Sequence, residues 1–221
     1  MDIAANLKNL VRSLPQGVKL VAVSKTHGND TIMHAYNAGQ RAFGENRVQE
    51  MLQKQPGLPA DIQWHYIGHL QTNKVKYLAP FVSMIHAVDS FKLIKEINKQ
   101  AARINRVIPC LLQVHIAEEE TKFGLSPDEL PELIARLADV PLGNVEIQGL
   151  MGMATFTDDT EQVRKEFRLL RQLFDNIRTG HNDIFPNFRE LSMGMSNDYL
   201  IAIEEGSTLV RVGSIIFGER Q

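Results

Sequence analysis

A lysine at the end of an apolar run and two glycine–serine turns near the C-terminus are the residues best suited to chemistry in this 221-residue chain. The run Val18–Ser24 leads into Lys25, which shares the two-residue phase of Val21 and Val23. If those valines face a barrel interior, Lys25 does too. Partial desolvation at such a rim favours the neutral amine, the form that attacks a carbonyl to give a Schiff base. A lysine that only ends a strand and snorkels to water would read the same way. Farther on, Ser192-Met193-Gly194-Met195-Ser196-Asn197-Asp198 runs into a helical pattern. Ser196 is its expected N-cap, and the free N–H groups of that helix suit a phosphate. Asp198, an anion in the expected first turn, argues against one. Arg211-Val212-Gly213-Ser214 adds a cation, a second glycine and a hydroxyl. Lysine opposite a phosphate cradle describes a site for an aldehyde carrying a phosphate. Pyridoxal 5′-phosphate meets that description, and so does a sugar phosphate in a lysine aldolase.

The elements that must position these groups alternate along the chain. Strand-like runs occur at Val18–Ser24, Arg41–Gly44, Gln63–Gly68, Met84–Val88, Ile108–Ile116, Val145–Met151, Glu190–Met193 and Leu209–Phe217. Helical spacing fills the gaps: Leu93, Ile94, Ile97, Ala101 and Ile104 after Ser90, and Val163 to Ile177 after Asp158-Asp159. Leu130, Leu133, Ile134 and Leu137 follow Ser126-Pro127-Asp128-Glu129, a capping box with proline at the first helical position. Shorter helices are expected at Asp30–Ala38, Val48–Gln53, Thr72–Leu78 and Asn197–Glu204, with an additional one, Ile3–Leu14, before the first strand. Strand then helix, eight times over, predicts an α/β chain folded as a single (β/α)8 TIM-type barrel over residues 1–221. An open doubly wound sheet is the rival, but no G-x-G-x-x-G follows the first strand. Barrels carry their sites at the C-terminal strand ends, with phosphate commonly held after strands 7 and 8. Lys25, Ser196 and Gly213 fall at such places.

Composition excludes several partners. Lys and Arg total 24 against 26 Asp and Glu, so bulk charge attracts neither nucleic acid nor an anionic membrane. No apolar run approaches the ~18 residues needed to cross a bilayer. The N-terminus is amphipathic rather than leader-like, and a lone cysteine, Cys110, suits a reducing compartment. A soluble cytoplasmic protein is expected.

The segments VAVSK (21–25), FGENRVQE (43–50), WHYIGHLQTNKV (64–75), GLMGMAT (149–155), ELSMGMSND (190–198) and VRVGSIIFG (210–218) resemble the pyridoxal-phosphate homeostasis protein family. That family is similar in fold to the N-terminal barrel of alanine racemase, the fold-type III arrangement of pyridoxal-phosphate proteins. The resemblance implies pyridoxal 5′-phosphate as cofactor, Lys25 as the Schiff-base lysine, and Ser192, Ser196, Gly213 and Ser214 around the phosphate. It further implies Arg211 facing the pyridine nitrogen and Asn46 beside the cofactor. The implied role is vitamin B6 homeostasis without established catalysis, in a monomer that hands its cofactor to apo-enzymes. Amino-acid racemisation is the enzymatic alternative. It needs a proton donor on each face of the substrate; in alanine racemase the second is a tyrosine from another domain, and no such domain is expected beyond this single barrel. Tyr36 and Tyr77 fall in expected helices. The chain departs from the family at His115, where asparagine is usual, while Lys122 and Gly124 keep the pattern.

Other residues carry weaker readings. His65 and His69 share strand parity, but an i, i+4 pair on a strand is ~13 Å apart, too far for one ion. No metal site is expected. Met151, Met153, Met193 and Met195 would line the cofactor face or fill the core. Gln71, Asn73 and Lys74 would cap a helix or meet a partner, and Cys110 would be inert packing.

Overall fold

In the computed structural model, which describes residues 2–119, 123–140 and 142–219, the eight apolar runs form eight parallel strands closed into a barrel. The strands are β1 Lys19–Val23, β2 Ala42–Glu45, β3 Gln63–Tyr66, β4 Val82–Val88, β5 Ile108–Gln113, β6 Val145–Met151, β7 Glu190–Ser192 and β8 Leu209–Val212. Each pairs with its sequence neighbour, and β8 closes on β1 with Arg211 opposite Val21. The helices are α1 Ile3–Ser13, α2 Asn29–Asn37, α3 Val48–Lys54, α4 Val75–Leu78, α5 Phe91–Ala102, α6 Glu129–Asp139, α7 Thr160–Gly180, α8 Tyr199–Glu204 and α9 Ser214–Phe217. The (β/α)8 barrel with a leading helix is therefore the fold, and the open sheet is not.

Alternation along the strands sorts two cores. Val21, Met84, Leu111, Met151 and Leu209 meet inside the barrel. Their outward neighbours, among them Ala22, Phe43, Trp64, Ile85, Leu112 and Leu150, pack against the helices. Each fully buried Leu, Ile or Phe there stabilises the fold by about 1.5–3 kcal/mol relative to exposure. The helical stripes fit this layer: Leu93, Ile94, Ile97 and Ala101 are all buried on α5, as are Val163, Phe167, Leu170, Phe174 and Ile177 on α7.

The capping signals act as written. Ser90 Oγ accepts from Leu93 N–H, and Asp159 accepts from Glu161 and Gln162 N–H. Ser126 Oγ accepts from Glu129 N–H at 3.2 Å while Glu129 Oε2 accepts from Ser126 N–H at 2.8 Å, the reciprocal box. Regular helix nevertheless starts at Glu129, so Pro127 lies in the turn before it. Ser126→Ala is expected to cost about 1 kcal/mol, read as a lower urea midpoint.

Three expected boundaries are corrected. The run Leu209–Phe217 is strand only to Val212; Ser214–Phe217 turns into α9, burying Ile216 and Phe217 beside α1. Thr72–Leu78 divides into a 3₁₀ turn at Thr72–Lys74 and the short α4, with no capping bond from the side chains of Gln71 or Lys74. The helix expected at Asn197–Glu204 begins at Tyr199, with Asp198 at its N-cap position, so Ser196 does not cap it.

Candidate cofactor site at the barrel mouth

A cleft of about 890 Å³ opens at the C-terminal ends of the strands, and its walls include Lys25, Asn46, Ser196, Arg211, Gly213 and Ser214. Six of the seven residues singled out for the site thus share one cavity. They come from the connections after β1, β2, β7 and β8, from β8 itself and from the first residue of α9.

Lys25 lies two residues beyond the end of β1 and continues the inward phase of Val21 and Val23. Asn46 follows β2, and the chain after β3 presses against it so closely that a side chain on Gly68 would collide with the Asn46 backbone. Tyr66 braces the same corner by donating its hydroxyl to the carbonyls of Asn46 and His69. Across the cleft, Gly194 has φ of 93°, a left-handed conformation that brings it against α8. Asp198 turns its carboxylate back onto Met195 N–H at 2.5 Å, closing the turn that presents Ser196. Ser196 Oγ accepts from Gly213 N–H at 3.2 Å, which ties the β7 and β8 connections into one polar wall.

Arg211 forms the floor. It is 3% exposed, and its guanidinium donates to Ser192 C=O at 2.9 Å, to Gly152 C=O at 3.0 Å and to Ser192 Oγ. Burial lowers it to about 10, so it remains a cation at neutral pH. Ser192 is the seventh expected residue, and the structure places it elsewhere. It is wholly buried beneath Arg211 rather than in the cleft wall, because β7 points it into the barrel. Its hydroxyl also lies 3.1 Å from His86 Nδ1, and His86 Nε2 lies 2.9 Å from His65 Nδ1. Burial holds both histidines low, His65 to about 4 with help from Lys19, and His86 well below its ordinary value with help from His65 and Arg211. A neutral polar row therefore crosses the barrel under the floor.

Other expectations resolve by position. His65 is inside the barrel, whereas His69 lies past the end of β3, stacked on Phe123 at 4.2 Å and 3.2 Å from Asp89. Met153 and Met195 line the cleft, while Met151 and Met193 are fully buried. Tyr36 and Tyr77 are on α2 and α4, as expected. His115 does not line the cleft; its Nε2 lies 2.8 Å from Glu119 C=O within its own loop. Lys122 is outside the described residues. Cys110 is buried and its thiol is pushed up by burial, which leaves it inert. Among the described residues no cluster of three or more His, Cys, Asp or Glu could hold a metal ion.

Sequence reasoning missed His86, Gln113, and the group Ser24, Glu45, Glu50 and Lys54 behind Lys25. Gln113 lines the cleft and donates to Phe123 C=O at 2.8 Å. Two signals were available: Glu45 directly ends an apolar strand-like run, and Glu50 precedes Lys54 by four residues on a helix.

The chain belongs to a known class. The family described as alanine racemase, N-terminal domain, matches residues 1–221. The alanine racemase of Clostridium difficile 630 superposes with a TM-score of 0.80 over 99% of this chain and 56% of its own, at 15% identity, a likeness of fold. Nearer relatives narrow the class. The pyridoxal phosphate homeostasis protein of Aquifex aeolicus (strain VF5) is 45% identical over 204 residues, 92% of this chain and 87% of that protein. The human protein of that name is 41% identical over 212 residues, 91% and 76% of the two chains. PipY of Synechococcus elongatus PCC7942, solved with pyridoxal phosphate bound, has a TM-score of 0.89 at 36% identity, covering 98% of this chain and all of PipY. The chain belongs to the pyridoxal phosphate homeostasis protein family.

Proposed function

We propose that this chain holds pyridoxal 5′-phosphate as a Schiff base on Lys25 and serves the intracellular homeostasis of that cofactor without turning over a substrate. The observation that carries the reading is one cleft lined by Lys25, by the joined Ser196–Gly213–Ser214 wall and by the buried cation of Arg211. The residues present fit the group. A methyl on Gly213 would stand 3.0 Å from Val23 C=O, so this wall leaves little room for a side chain and keeps backbone within reach of a ligand. The relatives' names and the cofactor bound in PipY support the same assignment.

Bound there, the cofactor supplies an aldehyde that amines attack and a ring that accepts electrons. Lys25 would hold the group through its Nζ, an amine that as the neutral base condenses with an aldehyde with loss of water. The Ser196 and Ser214 hydroxyls offer hydrogen bonds to the phosphate. Arg211 is donor-only and charged, so a ring nitrogen that accepts from it stays unprotonated, and the ring is a weaker electron sink. Binding and exchange with amines survive that tuning; proton abstraction from a substrate carbon is disfavoured.

Delivery to apo-enzymes, a monomeric state and a cytoplasmic location complete the proposal. Among the described residues no helix is long and apolar enough to cross a membrane. The test is spectroscopic. Purified chain mixed with pyridoxal phosphate should give an absorption band absent from the free cofactor, retained through gel filtration and converted by borohydride to a fixed adduct. Incubation of that complex with single L-amino acids in D2O should leave the α-hydrogens unexchanged over many equivalents. Multiple-turnover deuteration would reinstate the racemase, and a mixture that keeps the spectrum of the free cofactor and loses it on gel filtration would remove the cofactor assignment.

A further inference from the structure

The backbone on both sides of Lys25 is gripped by a buried charged cluster that the chemistry above does not use. Lys54, the last residue of α3, directs Nζ to three oxygens: Ser24 C=O at 2.9 Å, Glu45 Oε1 at 2.7 Å and Glu50 Oε1 at 2.6 Å. Glu45 Oε1 also accepts from the Ser24 hydroxyl at 2.6 Å, and Glu50 Oε1 accepts from Thr26 N–H at 2.5 Å. Ser24 and Thr26 are the neighbours of Lys25. The alternation of β1 and β2 explains the arrangement. Val23 and Gly44 face the barrel interior, so Ser24 and Glu45 face α3 and leave Lys25 directed to the cleft.

Two further observations separate this cluster from ordinary packing. Thr26 has φ of 71°, and among the described residues Asn105 is the only other non-glycine with positive φ. A β-branched residue in that region is strained, and such strain persists where the surroundings over-determine it, typically at functional sites. The cluster is also a poor device for stability alone. Glu45 is wholly buried, its Oε2 has no hydrogen-bond partner, and desolvating three charged groups offsets most of their mutual attraction. What such a cluster supplies well is geometry.

We propose that Glu45, Lys54 and Glu50 form a positioning clamp for Lys25, fixing the strained turn so that its amine meets an aldehyde held in the cleft. This rests on the reading of Lys25 given above. The clamp residues do not line the cleft, so they act through the Lys25 backbone and not by touching a ligand.

The experiment compares two ligands in equilibrium dialysis: pyridoxal 5′-phosphate, and pyridoxine 5′-phosphate, which carries an alcohol in place of the aldehyde. Glu50→Ala releases Thr26 N–H, and should weaken pyridoxal phosphate binding about tenfold or more, because covalent capture depends on alignment. Pyridoxine phosphate binding should change less than about twofold, since phosphate and ring contacts remain. Glu50→Gln keeps an acceptor for Thr26 N–H and should recover most of the loss. Lys54→Met removes three contacts at once and should act in the same direction more strongly. If it fails to fold, the Glu50 pair carries the test, because Glu50 is partly exposed. Equal losses for both ligands, or no loss for pyridoxal phosphate in Glu50→Ala, would overturn the clamp. An unmodified chain that forms no borohydride-fixed adduct would instead overturn the reading of Lys25, and the clamp with it.

Discussion

Lys25→Ala is expected to abolish the new absorption band and the borohydride-fixed adduct while the barrel stays folded. Among the described residues Lys25 is the lysine in the cleft wall. Lys54 is buried against two carboxylates, and Lys19 pairs with Glu190 at the first residues of β1 and β7, the strand ends opposite the cleft. Neither can replace it. The expected loss of affinity for pyridoxal phosphate is about 100-fold or more, equivalent to about 2.7 kcal/mol, because the covalent bond goes and the phosphate and ring contacts remain. Folding stability should change by less than about 1 kcal/mol, since Lys25 is only half-buried and lies outside the regular strand. Absorption spectroscopy, mass spectrometry after borohydride and a urea titration read the three quantities. An adduct of unchanged mass and yield in Lys25→Ala would transfer the chemistry to another amine and undo the assignment.

The barrel was legible because hydrophobic period is a local property. Alternating runs and helical stripes each follow from their own ten or so residues, and closure followed from counting them. The boundaries that failed depend on contacts distant in sequence. Ile216 and Phe217 read as strand because they are β-branched and aromatic, yet they turn into α9 to pack beside α1, some 200 residues away in the chain. Ser196 has the chemistry of a cap, but its hydroxyl is taken by Gly213 N–H across the mouth. Ser192 shows the same limit at the site. The resemblance sets it in a phosphate turn, while its strand parity directs its side chain into the barrel, where it meets Arg211. The second layer of the site was the least legible. His86 sits inside an apolar run and Glu45 at the end of one, where a single polar residue reads as noise until its partner, more than a hundred or only nine residues away, is seen beside it.

Acid is expected to destabilise the protein well before its carboxylates titrate. His65 is held at about 4 and His86 well below its ordinary value of 6.5, both chiefly by burial. The unfolded chain therefore takes up protons that the folded chain refuses as pH falls below about 6.5, and stability falls with pH down to about 4. Each fully unmatched proton costs about 1.4 kcal/mol per pH unit. Glu45 acts in the opposite sense: burial raises it, so its contribution is lost as pH rises through its folded value. Two depressed histidines against one raised carboxylate leave the slope positive. Urea midpoints taken from pH 7 to pH 4.5 should fall steeply. In a His65→Leu/His86→Leu double variant the slope should flatten, whatever that variant's stability at pH 7. Equal slopes in the two proteins would mean that the pair is not buried in neutral form. The site would respond in turn, because His86 bonds to Ser192, and Ser192 anchors the Arg211 guanidinium. A proton forced onto His86 sets a second cation beside Arg211 in the driest part of the barrel, so the floor of the cleft is where acid should loosen the protein first.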